Sequence, residues 1–220
     1  MCGRYAIVQA GSVAERFEAS EAQQPLLPRF NVAPSQANPV VVRNSPNRVV
    51  LMQWGLVPAW SKEPRTQFST INARAETVAT SSVFRGPFKS RRCLVPASAF
   101  YEWKKTSDGK QPFCIRLRGG ELFAFAGLYD IWRDGDGNEL QSYTIITTAA
   151  NELVAPLHNR MPVILHRDDE SAWLDKSTEP ERLQALLTSF PADAMETFPV
   201  SRALNSPANE GAELMEPVAA

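Results

Sequence analysis

From residue 39 to residue 165 the chain passes through short stretches in which apolar residues are either continuous or alternate with polar ones. The stretches at 39–43 (PVVVR), 48–54 (RVVLMQW), 92–103 (RCLVPASAFYEW), 112–118 (PFCIRLR), 121–132 (ELFAFAGLYDIW), 142–149 (SYTIITTA) and 162–165 (PVIL) have strand length and strand composition. DGK at 108–110, GG at 119–120 and DGDGN at 134–138 supply the turn residues between them. Helical spacing is confined to about 12–20, 74–83, 168–175 and 179–189, the last with Pro180 near its start. The strands follow one another too closely for repeated βαβ units. The pattern therefore predicts an α+β chain: one domain over 1–220, with an antiparallel sheet curled into a barrel-like core, a few short helices and a short tail at about 218–220.

Composition narrows the setting. No stretch approaches the roughly 18 apolar residues of a membrane span, and residues 1–25 lack a basic segment followed by an apolar run, so a cytoplasmic protein is expected, nucleoid-associated if bacterial. Three cysteines without CxxC spacing and two histidines give little basis for a disulfide framework or a zinc site. Net charge is −1, yet residues 1–118 carry 17 Lys and Arg against 7 Asp and Glu, and residues 119–220 carry 6 against 17. Such polarisation marks either an anionic-ligand face or two solvated surfaces that meet in the fold.

Candidate chemistry begins at the second residue. Cys2 lies directly behind Met1, and removal of that methionine would leave an α-amine and a thiol on one residue. With reference values of about 8 and about 8.5, both nucleophilic forms are expected in useful amounts near neutrality. Further along, INARAET carries Asn72 and Arg74 at the entrance of the helix predicted over 74–83, where free N–H groups favour anions. FYEWKK sets Glu102 between Tyr101 and Trp103, APLHNRMPVIL sets His158 and Arg160 just before a strand, and NVAPSQ makes a turn around Pro34. Each has a structural alternative: Asn72 as a helix cap, Glu102 as a strand-end surface charge, His158 as a hydrogen-bonded core histidine.

Taken in order, MCGR, NVAP, WGLVPAW, INARAET, FYEWKK, TTAA with LHNRMPVIL, and PVSRA with NEGAEL resemble the SOS response-associated peptidase (SRAP) family from residue 2 to about 217. The resemblance implies a sensor of abasic sites in single-stranded DNA whose N-terminal cysteine couples covalently to the damaged sugar. By that resemblance Cys2, Asn72, Glu102 and His158 are the reacting group and its helpers. Arg4, Arg74 and Arg160 correspond to phosphate-gripping arginines, Thr147 to a pocket position, and Trp103, Pro34, Trp60 and Phe68 to stacking or wedge candidates. Trp54 reads as core, and His166 matches nothing and reads as structural. WGLVPAW is followed by Ser61 where some relatives carry a second tryptophan, a departure in the stacking loop.

Two rival classes stand beside this reading. An N-terminal nucleophile amidohydrolase of the glutamine amidotransferase type also begins MCG, but the downstream RGPD and NG-GD motifs are missing from the chain. A non-catalytic single-strand binding module would use the aromatics and arginines and leave Cys2, Glu102 and His158 unexplained. No cofactor is indicated, the expected partner is single-stranded DNA containing abasic sites, no membrane is involved, and a monomer is the default.

Overall fold

Val, Ile, Tyr and Phe runs build the protein from strands, and a computed structural model describes residues 2–64, 69–107 and 109–219. In those residues the strands are β1 (Tyr5–Ile7), β2 (Ala19–Ser20), β3 (Arg29–Val32), β4 (Ala37–Val42), β5 (Asn47–Trp54), β6 (Asn72–Arg74) and β7 (Arg92–Ala97). They continue as β8 (Ala99–Thr106), β9 (Gly109–Leu117), β10 (Phe123–Arg133), β11 (Glu139–Ala149), β12 (Arg160–Pro162) and β13 (Met195–Pro199). Four short α-helices accompany them: α1 (Val13–Arg16), α2 (Arg85–Ser90), α3 (Glu170–Leu174) and α4 (Pro180–Ala185). None is long and apolar enough to cross a membrane.

The predicted barrel is present, with one correction to its pairing. β11, β10, β7, β4 and β5 are antiparallel neighbours, and the ring closes where β11 meets β5 in parallel, Ser142 opposite Gln53 and Tyr143 opposite Trp54. β6 also runs parallel to β11, and β2 parallel to β5. The sheet is therefore mixed rather than antiparallel, because a closing strand can arrive from far along the chain in either direction. Inside, Tyr5 meets Trp54 edge-on with centroids 5.2 Å apart, and Trp54 stacks on Tyr143 at 6.4 Å. Trp54 is fully buried, as the core reading expects. Gly127 on β10 is required by space: a Cβ there would lie 2.7 Å from Val95 Cγ2 and 2.8 Å from Cys93 Sγ.

The long apolar run at 92–103 is two strands. Ser98 turns the chain between them, its N–H donating to Ala6 O at 2.7 Å and its hydroxyl to Gln9 Oε1 at 2.6 Å. β7 stays in the barrel, while β8 enters a second, five-stranded sheet ordered β13, β9, β8, β1, β3. A small second core of Ala6, Ala99, Tyr101, Cys114, Val200, Leu204 and Leu214 lies behind that sheet, sealed by the C-terminal segment.

The helix predicted over 74–83 is absent. Residues 72–74 are strand β6, the Ala75 N–H continues the pairing onto Thr147 O at 2.9 Å, and turns follow before α2. The free edge of β11 offers hydrogen bonds that hold this segment extended, which local helical spacing cannot reveal. Asn72 and Arg74 consequently sit on a strand, not at a helix entrance. The other helices are shorter than their periodicity suggests: α1 yields to β2 by residue 19, and α4 ends at Ala185.

Candidate active site

One limb of the site is built by β1 and β8. Tyr5 pairs with Phe100 and Ala6 with Ala99, and the Tyr101 N–H donates to Arg4 O at 3.0 Å, so the ladder runs on toward the N-terminus. Extending the register sets Gly3 opposite Glu102. Side chains alternate along β8: Tyr101 faces the small core and donates its hydroxyl to Phe30 O at 2.7 Å, while Phe100 faces the main core that also holds Cys2. Glu102 therefore emerges on the Cys2 side. It is 4% exposed, and burial pushes its carboxyl up to about 7. The strand-end surface charge considered for it is excluded by this burial.

Cys2 itself corrects an expectation. Its side chain has no exposure, with Sγ 3.8 Å from Arg4 O. Burial, and next the charge of Glu102, push the thiol far above the ordinary cysteine range, so the resting group is a protonated thiol rather than a partly ionised one. Desolvation outweighs every favourable neighbour at this position.

The second limb is the end of β11 where β6 and β12 flank it. Asn72, Ala73 and Arg74 run parallel to Ile145, Ile146 and Thr147, and Thr147, Thr148 and Ala149 pair on the other side with Pro162, Met161 and Arg160. Asn72 Nδ2 approaches Ile145 O at 3.5 Å, and its Oδ1 is buried with no hydrogen-bond partner among the described residues. Buried acceptors are normally satisfied, so this oxygen is poised for a donor from outside the fold. His158 Nδ1 accepts the Arg160 N–H at 3.0 Å, leaving the proton on Nε2, and burial lowers its pKa so that the neutral ring prevails. The limbs meet through aromatic contacts: the Tyr5 and Tyr143 hydroxyls share a 2.6 Å hydrogen bond, and Trp54, packed on both rings, donates from Nε1 to Ile71 O at 2.9 Å, next to Asn72.

The proposed arginines differ sharply. Arg74 is exposed, and its side chain makes no hydrogen bond or ion pair among the described residues. Arg160 forms a two-pronged pair with Glu76, Nη1 to Oε1 at 2.6 Å and Nη2 to Oε2 at 3.0 Å, and also donates to Thr147 O at 2.5 Å. Arg4 donates to Asn31 Oδ1 at 2.8 Å, Leu204 O at 2.9 Å and Asn205 O at 3.3 Å. Three of its five donors are thus met by protein acceptors, which makes Arg4 a clasp between the N-terminal strand and the C-terminal segment and leaves two donors for other partners.

The remaining candidates scatter. Trp103 is partly buried, its Nε1 donating to Asn205 Oδ1 at 2.7 Å. Pro34 is partly exposed in the turn after β3, followed by Ser35 at φ 70°. Trp60 is 64% exposed on a braced turn, held by Ala59 N–H to Asp130 Oδ2 at 3.1 Å and Trp132 Nε1 to Ser61 O at 2.8 Å. Phe68 lies outside the described residues. Thr147 is buried, with its hydroxyl donating to Ala73 O at 3.3 Å; in this geometry it holds β6 and does not offer a contact surface. His166 stacks on Phe190 at 4.6 Å.

Sequence reasoning missed three groups inside motifs it had singled out. Glu76, in INARAET, is the counterion of Arg160. Asn31, in NVAP, is fully buried and donates to Ser206 O and Asn209 O at 2.9 Å each. Glu210, in NEGAEL, accepts from Phe30 N, from Asn31 N at 3.1 Å and from Arg29 Nε at 3.0 Å. A buried-type polar residue recurring in motifs remote from the reacting group was the available signal; its partner was not.

Comparison with known proteins agrees with this architecture. The family described as SOS response associated peptidase (SRAP) matches residues 1–207. The chain is 43% identical to Abasic site processing protein YoqW of Bacillus subtilis (strain 168), across 98% of this chain and 99% of that one. It is 35% identical to Abasic site processing protein HMCES of Gallus gallus, across 99% of this chain and 78% of that one. An X-ray crystal structure of a protein from Bacteroides thetaiotaomicron superimposes with a TM-score of 0.89 at 26% identity, covering 99% of this chain and 100% of that one.

Proposed function

The chain belongs to the SOS response-associated peptidase family, and on that premise we infer that it processes abasic sites in single-stranded DNA by covalent capture through Cys2. Relatives at 43% and 35% identity carry abasic site processing in their names. The observation that carries the chemical reading is the buried Glu102 carboxyl, pushed up to about 7 and lying on the face of β8 that Cys2 shares.

The reaction follows from the groups present. An abasic deoxyribose opens to an aldehyde, and the α-amine of a chain beginning at Cys2 adds to its carbonyl carbon. Loss of water gives an imine; the Cys2 sulfur then adds to the imine carbon while its proton passes to the nitrogen, closing a five-membered thiazolidine. A thiol held protonated by burial needs a base for that closure, and a carboxyl near neutrality can take a proton in one step and return it in the next. Neutral His158 can donate from Nε2 to the departing sugar oxygen, and Asn72 Oδ1 can accept from the amine without adding charge. Met1 must first be removed, by the protein itself or by an aminopeptidase.

DNA is held by the exposed Arg74, by Arg160 and, through its remaining donors, by Arg4, with Trp103, Pro34, Trp60 and Phe68 as base-facing surfaces and Thr147 supporting the pocket wall. The test is intact mass after mixing the protein with single-stranded DNA bearing one abasic site. A stable adduct equal to the DNA strand less one water, on a chain lacking Met1, is expected; glutaminase activity without an adduct would place the protein in the amidohydrolase class.

A further inference from the structure

We propose that Glu76 is a specificity-determining residue: its carboxylate occupies the Arg160 guanidinium in the free protein, must be displaced or shared when a DNA phosphate arrives, and so keeps affinity for undamaged single strands low. This rests on the DNA-binding reading of Arg160 given above.

The pair spans the site. Glu76 follows β6 and Arg160 opens β12, and these strands flank the end of β11 on opposite sides, so the bridge crosses above Thr147, whose carbonyl takes a further bond from Arg160 Nη2. Both carboxylate oxygens face the guanidinium fork, the arrangement that phosphate oxygens also prefer. Exposure is unequal: the Glu76 side chain is 53% exposed and that of Arg160 is 17%. The carboxylate is therefore the partner turned toward solvent and the cation the enclosed one. Arg160 Nε is buried with no hydrogen-bond partner among the described residues, so Glu76 satisfies only part of the group's donor capacity. The hydrogen bond from Arg160, with a smaller contribution from the Arg74 charge, holds Glu76 below the usual carboxylate range, so it stays ionised wherever the protein binds DNA.

The consequence is a division of labour. A strand without a lesion meets a guanidinium already paired and gains little from it. A strand with a lesion is retained by a covalent bond at Cys2, for which strong phosphate affinity is unnecessary. A protein built this way releases intact single strands readily.

The experiment is fluorescence anisotropy with an undamaged single-stranded oligonucleotide across a salt series, using the full chain and Glu76→Gln, Glu76→Asp and Arg160→Ala. Glu76→Gln should bind about threefold to fivefold more tightly at low salt, with the log–log slope steeper by about 0.7, while Glu76→Asp, which keeps the charge and guards against a folding defect in the Gln variant, should follow the parent. Arg160→Ala, which removes a guanidinium already paired in the parent, should leave the parent slope nearly unchanged, and adding it to Glu76→Gln should cancel the tighter binding and the steeper slope of that variant. If Glu76→Gln binds no tighter than the parent, the pair is architectural and the inference is wrong. If the double variant Glu76→Gln/Arg160→Ala keeps the gain, the added affinity does not run through Arg160, and the DNA-binding reading of Arg160 fails and takes this inference with it.

Discussion

The backbone N–H of Arg160 donates to Nδ1 of His158 at 3.0 Å, so the strand that carries the cation also sets the tautomer of the imidazole. The Arg160 carbonyl lies farther from the same nitrogen, at 3.3 Å, and would become its partner only on protonation. A neutral ring with its proton on Nε2 is a hydrogen-bond donor, and the lowered pKa keeps it so through the physiological range. The His158 ring is accordingly expected to titrate below the ordinary histidine range when followed by NMR, and His158→Ala to slow crosslinking partially. Crosslinking at the parent rate would return His158 to a purely structural role.

Cys2→Ala should abolish the durable adduct while leaving binding to undamaged single strands near the parent level, because affinity rests on other side chains. Cys2→Ser keeps the amine and should stop at the reversible imine, visible only after borohydride reduction. A protein isolated with Met1 retained should be inert toward the aldehyde. A thiazolidine-mass adduct from Cys2→Ala, measured by mass spectrometry, would overturn the assignment.

Glu102→Gln removes the titrating group and keeps the shape. Crosslinking in single-turnover gels should slow, by about 10²–10⁴-fold if proton transfer limits the rate. The stability effect has a defined sign. The folded carboxyl, at about 7, holds its proton more tightly than the unfolded one at about 4.3, so the stabilisation it supplies is full below about 4.3 and is lost as pH rises through about 7. The melting temperature of Glu102→Gln relative to the parent should therefore rise between pH 4 and pH 8, with a penalty in the parent of about 4 kcal/mol at most. A constant difference across that range would show that Glu102 is not buried in solution as it is here.

Arg74 and Arg4 should part company in a salt titration. Arg74→Ala, at an exposed position, should leave thermal stability within about 0.5 kcal/mol and flatten the log–log salt slope of single-strand binding by about 0.7. Arg4→Ala takes the side-chain donor from Asn31 Oδ1 and Asn205 O and one of two from Leu204 O, and should cost about 1–3 kcal/mol of stability in thermal melts. If Arg4→Ala melts with the parent, the clasp is not formed in solution.

Much of this architecture was legible from local pattern. Valines 40–42 and the alternation through 121–132 announced β4 and β10, and the turn residues at 134–138 announced the β10–β11 connection. The resemblance carried by the motifs marked Cys2, Glu102, Asn72 and His158 as candidates, where each residue alone had a structural alternative. Periodicity failed at 74–83, where apolar spacing suits a helix but the edge of β11, some seventy residues away in sequence, supplies the partners that keep Asn72–Arg74 extended.

What the sequence by itself determined is thus the set of strand-forming segments, the family to which the motifs belong, and the candidate groups at stated positions, because each depends on residue type and short-range spacing. The tertiary structure alone decided that the barrel closes through parallel pairing of Tyr143 with Trp54. It alone decided that the Cys2 thiol rests buried and protonated, and that Arg160 is held by Glu76 while Arg74 stands open. The physical reason is common to all three. Pairing, desolvation and ion-pair occupancy are set by which groups the fold brings within a few ångströms, and the partners in these three cases, Trp54 and Tyr143, Cys2 and Glu102, and Glu76 and Arg160, lie about eighty to a hundred residues apart along the chain.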